Sequence, residues 1–354
     1  MVKNAYIHIP FCTKKCCYCS FVSYPTLEKK IKYLSALENE IQSRYGYETL
    51  ETLYIGGGTP SILSPDEINR IVDLFNTDEN TEITMEFNPE NKILPDYHIN
   101  RLSIGCQTFD DDILKLIGRR HASKDVINTV KNAKNLGYKN ASLDFIYGLP
   151  NQTIEMFEDD LKLAIDLDIQ HISLYGLKID EGCYFDKHRP NNLPDNDTQA
   201  DMYLKAVEIL THSGFEHYEI SNFSKKGYES RHNLNYWNNN TYYGFGLSAH
   251  GYENGIRYSK TCDLNEYIKN PKEFDEYNKL TKSEQSEEEI FLGFRKVSGL
   301  NVFEINQKYN IDFEKKYKKT LEKYNNYIEK TKQGYRLNID GILVSNNILS
   351  EFLD

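Results

Sequence analysis

The chain has 354 residues, 27% charged and 39% hydrophobic, enough for a large buried core with a small appendage. Its net charge of -11 argues against general nucleic-acid binding, which wants a basic face, but leaves room for a local basic pocket around an anionic ligand. No apolar run approaches the roughly 20 residues that cross a bilayer, and His8 and Pro10 break the only apolar stretch near the start, so neither a transmembrane segment nor a signal peptide is expected and the expected location is the cytoplasm.

Strand and helix alternate through the first two-thirds. Residues 4–10 read as a strand. Leu27, Ile31, Leu34, Leu37 and Ile41 then recur on one helical face. Residues 52–55 form a strand ending in Gly56-Gly57-Gly58, and Ser64-Pro65-Asp66-Glu67 starts a helix with an N-cap and a first-turn proline. Strands follow at 82–87, 101–107 and 141–147, with a helix at 123–136 that stops at Gly137. A helix at 153–166 leads to a sixth strand at 171–177. Six βα units in a row imply parallel strands with right-handed crossovers. The expected fold is α/β, a partial (β/α)6-type barrel, whose site would lie at the C-terminal strand ends.

After about residue 195 the pattern changes. A helix near 198–212 precedes a short strand at 218–221 and an aromatic, Asn-rich stretch at 232–246 that holds Trp237. Helices are expected from about 283, at 302–309 and at 313–327, with a strand pair at 335–337 and 342–344. The acidic run Glu287–Glu289 reads as the opening of an exposed helix. The expected division is a core barrel at 1–195, an extension at 196–275, and a small, mostly helical, winged-helix-like domain at 276–354.

Seven cysteines are present: Cys12, Cys16, Cys17, Cys19, Cys106, Cys183 and Cys262. The number is odd and four crowd together, which favours metal ligation over disulfides in a reducing compartment. Cys12, Cys16 and Cys19 follow the spacing C-x3-C-x2-C. Three thiolates on one loop can hold three corners of a four-iron cluster and leave the fourth iron open to another ligand. Zinc is the rival, with His8 or Cys17 as a fourth ligand. Structural zinc sites prefer two ligand pairs far apart in sequence, whereas these four thiols lie within eight residues. Cys17 is not expected to be a ligand.

Other candidates sit at strand ends. Gly56-Gly57-Gly58-Thr59-Pro60 would let backbone groups approach a ligand closely, or form a plain tight turn. Glu86 could grip an ammonium group or ribose hydroxyls, or be a solvated carboxylate. Asp144 lies within an apolar strand, where an unpaired carboxylate is costly, so a ligand or an arginine partner is expected. Arg119 is the candidate for that pairing or for a ligand carboxylate.

These residues resemble the radical S-adenosylmethionine (SAM) superfamily, with Tyr18 just before the last cysteine. Residues 6–12, 56–61, 101–105, 117–121 and 144–152 together resemble the oxygen-independent coproporphyrinogen III oxidase family. That family has an oxidase branch and a haem-chaperone branch. The oxidase has another cysteine two past the last ligand, whereas here Ser20 follows Cys19 and Phe21 comes next, and only five residues precede Tyr6 where the oxidase has a long extension. His232-Asn233-Leu234-Asn235-Tyr236-Trp237 matches the chaperone's H-N-x-x-Y-W motif. Ser248, Cys183 and Cys106 depart from the family's usual residues without removing a cluster ligand.

The resemblance implies a [4Fe-4S] cluster on Cys12, Cys16 and Cys19, with SAM chelating the open iron. It implies a SAM pocket of Tyr6, Tyr18, Gly57, Gly58, Thr59, Glu86, Gln107, Arg119 and Asp144. Haem is the further implied ligand, with His232 as first axial candidate, His250 as second, and Cys17 and Cys106 as outlying ones. The competing reading of His232 is a hydrogen-bonded histidine packed against Trp237. The implied partners are haem-requiring proteins, with membrane-associated respiratory enzymes as candidates. No catalytic residue is assigned. The alternative function is anaerobic decarboxylation of coproporphyrinogen III, in which the cluster reduces SAM to a 5′-deoxyadenosyl radical.

Overall fold

The computed structural model describes residues 1–353. Six parallel strands form its centre: β1 (Asn4–Ile9), β2 (Thr52–Gly57), β3 (Glu82–Phe87), β4 (Arg101–Gln107), β5 (Ala141–Tyr147) and β6 (His171–Gly176). Two short strands, β7 (Glu216–Glu219) and β8 (Asn222–Ser224), extend the sheet antiparallel beyond β6, and β9 (Tyr243–Phe245) runs parallel beside β1. The order is β7-β8-β6-β5-β4-β3-β2-β1-β9, so the barrel stays open.

Side-chain alternation gives the sheet two unlike faces. Leu53, Ile55, Met85, Leu102, Ile104, Leu143, Phe145 and Ile172 point outward into an apolar layer shared with the helices. Each such side chain stabilises the fold by about 1.5–3 kcal/mol on burial. The inner face is polar: Asn4, Thr52, Glu82, Thr84, Arg101, Ser103, Ser142, His171 and Ser173 are all buried. Hydrogen bonds knit them together, between Ser142 Oγ and His171 Nδ1 (2.8 Å) and from Thr52 Oγ1 to Asn4 Oδ1 (2.9 Å).

The helix Arg231–Trp237, which carries the H-N-x-x-Y-W motif, stops the N-terminal end of the barrel. Ser230 caps it, and Glu82 at the start of β3 accepts the first free N–H groups, from Arg231 (3.1 Å) and His232 (3.0 Å). Asn4 Nδ2 donates to Asn235 Oδ1 at 2.8 Å.

Several expected elements differ. The first helix is Lys30–Arg44, not a helix from Leu27; Leu27 and Ile31 are exposed, and only Leu34, Leu37 and Ile41 of the stripe are buried. The helix expected at 313–327 is broken at Tyr317 into Phe313–Lys316 and Lys318–Lys323. Residues Ile339–Leu343 are helical rather than a strand, because Asn338 accepts the Gly341 N–H as an N-cap. The strand Gly334–Leu337 pairs instead with Ile328–Lys330 and Leu300–Asn301.

The acidic run lies mid-helix in Lys282–Gly293, which is opened by a capping box of Thr281 and Glu284. It is not a solvated face. Glu287 is buried and pairs with Lys316, Glu288 forks onto Arg257, and Glu289 pairs with Lys308. The core of this C-terminal part takes in Tyr203 and packs on Tyr147, Val207 and Ile220, so it is fused to the barrel's flank.

Candidate functional site

Just past β1, the chain turns through the cysteine loop. Tyr24 N donates to Pro10 O (2.7 Å), Cys12 N to Tyr24 O (3.1 Å) and Cys17 N to Ile117 O (2.9 Å), which pins the loop at both ends. The glycine run after β2 packs against it. A Cβ on Gly58 would sit 2.7 Å from Phe11 O and 3.0 Å from Cys12 Sγ, so only glycine allows this approach. Gly57 has φ +115°, which also demands glycine.

A cavity of about 450 Å³ opens beneath this loop at the C-terminal strand ends. Cys12, Cys16 and Cys19 all line it, as do Tyr18, Gly57, Gly58, Thr59, Glu86, Gln107, Arg119 and Asp144. Cys17 does not: its sulfur packs against Gly118, among apolar side chains that include Ile117 and Phe185. Tyr6 is also not a wall residue. It stands behind Tyr54, with ring centroids 6.1 Å apart, and its hydroxyl meets His8 Nδ1 at 3.0 Å.

Among the described residues, no three His, Cys, Asp or Glu side chains are grouped as they would be around one metal ion. The three thiols share one cavity, and in a four-iron cluster each thiolate binds a different iron. The donor set is soft and all-sulfur, which fits the cluster. Burial pushes the Cys19 thiol up to about 11, so its proton would leave on metal binding.

Arg119 donates through Nη1 to Cys16 Sγ (3.6 Å) and through Nη2 to Gly105 O (3.0 Å). It does not pair with Asp144. That carboxylate accepts from Ser103 Oγ (2.6 Å) and Ser142 Oγ (3.0 Å), so two serines replace the expected arginine. Gln107 has φ +68° at a register shift between β4 and β5, an unusual conformation for a residue with a side chain, which re-aims it at the cavity. Glu86 takes the Tyr54 hydroxyl on one oxygen and the Gly57 N–H on the other, both at 3.0 Å. Burial pushes its carboxyl up to about 7.

The wall also includes residues that were not anticipated, among them Tyr54, Asn88, Ser103 and Tyr175. Tyr54 shares strand parity with Gly56, and Ser103 with Gly105, so inward alternation was the signal that could have found them.

His232 does not suit the haem-ligand expectation. Its Nδ1 is bonded to Thr52 Oγ1 (2.7 Å) and its Nε2 to the Tyr236 hydroxyl (2.9 Å), in a buried position at the barrel end opposite the cysteines. Nor does it pack on Trp237. It stacks on Tyr54 at 5.1 Å, while Trp237 lies under the Arg295 guanidinium at 4.8 Å. His250 opens the strand His250–Glu253 beside β9; it is exposed, and its ring makes no hydrogen bond among the described residues. Cys106 is fully buried on the outer face of β4, away from any ligand.

Comparison with known proteins agrees with this geometry. The Radical SAM superfamily model matches residues 6–164, and the HemN C-terminal domain model matches residues 280–344. The heme chaperone HemW of Lactococcus lactis is 38% identical, with 99% of this chain and 97% of the relative covered. The chain belongs to the heme chaperone HemW family. The Bacillus subtilis HemW is 36% identical over 99% of both chains. The Escherichia coli coproporphyrinogen III oxidase HemN, a radical SAM enzyme, shares the fold: TM-score 0.85 at 23% identity, over 99% of this chain and 89% of that one. Radical SAM membership implies a [4Fe-4S] cluster and SAM. Among the described residues, no helix is long and apolar enough to cross a membrane.

Proposed function

We propose that this protein binds haem and passes it to haem-requiring proteins, with a [4Fe-4S] cluster on Cys12, Cys16 and Cys19 and SAM in the cavity beneath. Cys12, Cys16 and Cys19 would hold the cluster and leave one iron free to take the amino and carboxylate groups of SAM. Around it, Glu86 supplies acceptors, Arg119 a fixed positive charge and Gly57–Gly58 a close backbone edge. The observation that carries the chaperone reading is Phe21, two residues past Cys19. It lies exposed on the cavity wall, where the oxidase branch is expected to carry a further cysteine. The HemW name of relatives that match nearly end to end supports the same reading.

His250 takes over as the proposed axial haem ligand, because it is exposed and its ring nitrogens are uncommitted. The test uses the anaerobically reconstituted protein. Haem is titrated in and followed by absorbance, and the loaded protein is mixed with an apo-haemoprotein. Stoichiometric uptake and transfer are expected. Coproporphyrinogen-dependent formation of protoporphyrinogen and 5′-deoxyadenosine would instead establish the oxidase reading.

A further inference from the structure

We propose that Tyr54 is a positioning residue that fixes Glu86 for SAM and transmits the placement of His232, in the H-N-x-x-Y-W helix, to the SAM cavity. The inference rests on the reading that the cavity takes SAM. Tyr54 lies in the middle of β2 and bridges the two ends of the barrel interior. Its hydroxyl donates to Glu86 Oε1 while Gly57 N donates to Oε2, each at 3.0 Å. One donor on each oxygen fixes the plane of the carboxyl group and leaves its remaining lone pairs for a ligand. Gly56 makes this meeting possible. A Cβ there would lie 2.9 Å from both Glu86 Oε1 and the Tyr54 ring.

The ring itself is held from both sides. His232 stacks on it with centroids 5.1 Å apart and planes 27° apart, and Tyr6 does so at 6.1 Å and 26°. His232 cannot drift, because Thr52 and Tyr236 hold its two nitrogens and Glu82 holds its backbone N–H. One continuous column therefore runs from the stopper helix through His232 and Tyr54 to Glu86.

Asp144 is the other carboxylate acting on Glu86, and it opposes ionisation. Tyr6, Tyr54, Tyr175 and Tyr236 also act on Glu86, and burial keeps all four phenols protonated in the neutral range; the Arg119 guanidinium shares the cavity wall and stays charged throughout. Removing the Tyr54 hydroxyl takes away a hydrogen bond that favours the ionised form of Glu86.

The experiment measures SAM affinity of the full-length, anaerobically reconstituted protein from pH 6 to 8.5 by equilibrium dialysis, with iron content matched between variants. Wild-type affinity should fall several-fold as pH drops through 7, as Glu86 takes up a proton. In Tyr54→Phe that fall should move upward by about one pH unit, the scale of a lost hydrogen bond to a charged group. The variant should then bind about threefold weaker near pH 7.5 and converge on wild type at pH 8.5. His232→Gln, which keeps hydrogen-bonding capacity but not the stacked ring, should move the profile the same way by less. A Tyr54→Phe profile that superimposes on wild type, or is weaker by one factor at every pH, overturns the proposal. An unmoved His232→Gln profile overturns its transmission half. A wild-type protein that retains its cluster yet binds no SAM at any pH refutes the SAM reading itself.

Discussion

Arg119 aims its Nη1 at Cys16 Sγ from 3.6 Å, while Gly105 O and Asn88 Oδ1 hold its Nη2 at 3.0 and 3.3 Å. A fixed cation donating to a cluster sulfur stabilises the more negative, reduced cluster. Arg119→Met should therefore lower the reduction potential of the cluster while leaving iron content near wild type. An EPR-monitored redox titration reads the shift. An unchanged or raised potential would show that the charge does not act on the cluster.

The proposed assignment separates the cysteines into three ligands and a bystander. Cys12→Ala, Cys16→Ala and Cys19→Ala should each lose most of the bound iron and the broad iron–sulfur absorbance. Cys17→Ser should keep both, since its sulfur faces Gly118 rather than the cavity. Iron loss in Cys17→Ser equal to that in the other three would refute the assignment.

Haem uptake should depend on His250. His250→Ala should abolish the stoichiometric absorbance change, and His232→Gln should retain it. The reverse pattern would mean that the stopper helix opens to expose His232.

His232 also leaves a mark on acid stability. Burial pushes it down to about 3 from an ordinary value of 6.5. Between those values the unfolded chain binds a proton that the folded chain refuses. Its contribution is full above about pH 6.5 and is lost as pH falls. The melting temperature of His232→Gln should thus fall less between pH 7 and pH 5 than that of wild type. Parallel profiles would contradict a neutral buried imidazole.

Glu40 joins the first helix to the β9 edge. It pairs with Arg44 at 2.7 Å and with Lys260 at 3.1 Å, and accepts from the Tyr267 hydroxyl and Gly246 N. Glu40 and Lys260 are both buried. Glu40→Ala leaves the lysine charged and unpaired, and should cost about 3–5 kcal/mol. Urea denaturation measures it, and a loss below about 1 kcal/mol, the scale of an exposed pair, would show that the lysine finds another partner.

The barrel was legible because its signals are local. Each outward face reads as an apolar period-two run, and each landmark sits where a strand stops. The cavity wall was legible down to Gln107 and Arg119 through the family motif. What stayed hidden depends on distant partners. Nothing near Asp144 in sequence says that Ser103, on the neighbouring strand, holds it. The sequence leaves His232 open between a haem ligand and a hydrogen-bonded histidine until Thr52 and Tyr236 are seen to occupy it. The mistaken strand at 342–344 came from an apolar run whose preceding Asn338 is a helix cap.

The stopper helix has a consequence for loading. With the N-terminal end of the barrel closed, the proposed cluster and SAM would enter by the cysteine mouth. A space of about 450 Å³ would then go to the small cofactor, and the proposed haem would sit outside it. A cargo kept on the doorstep, beside an exposed histidine, can be taken by a recipient without disturbing anything stored within.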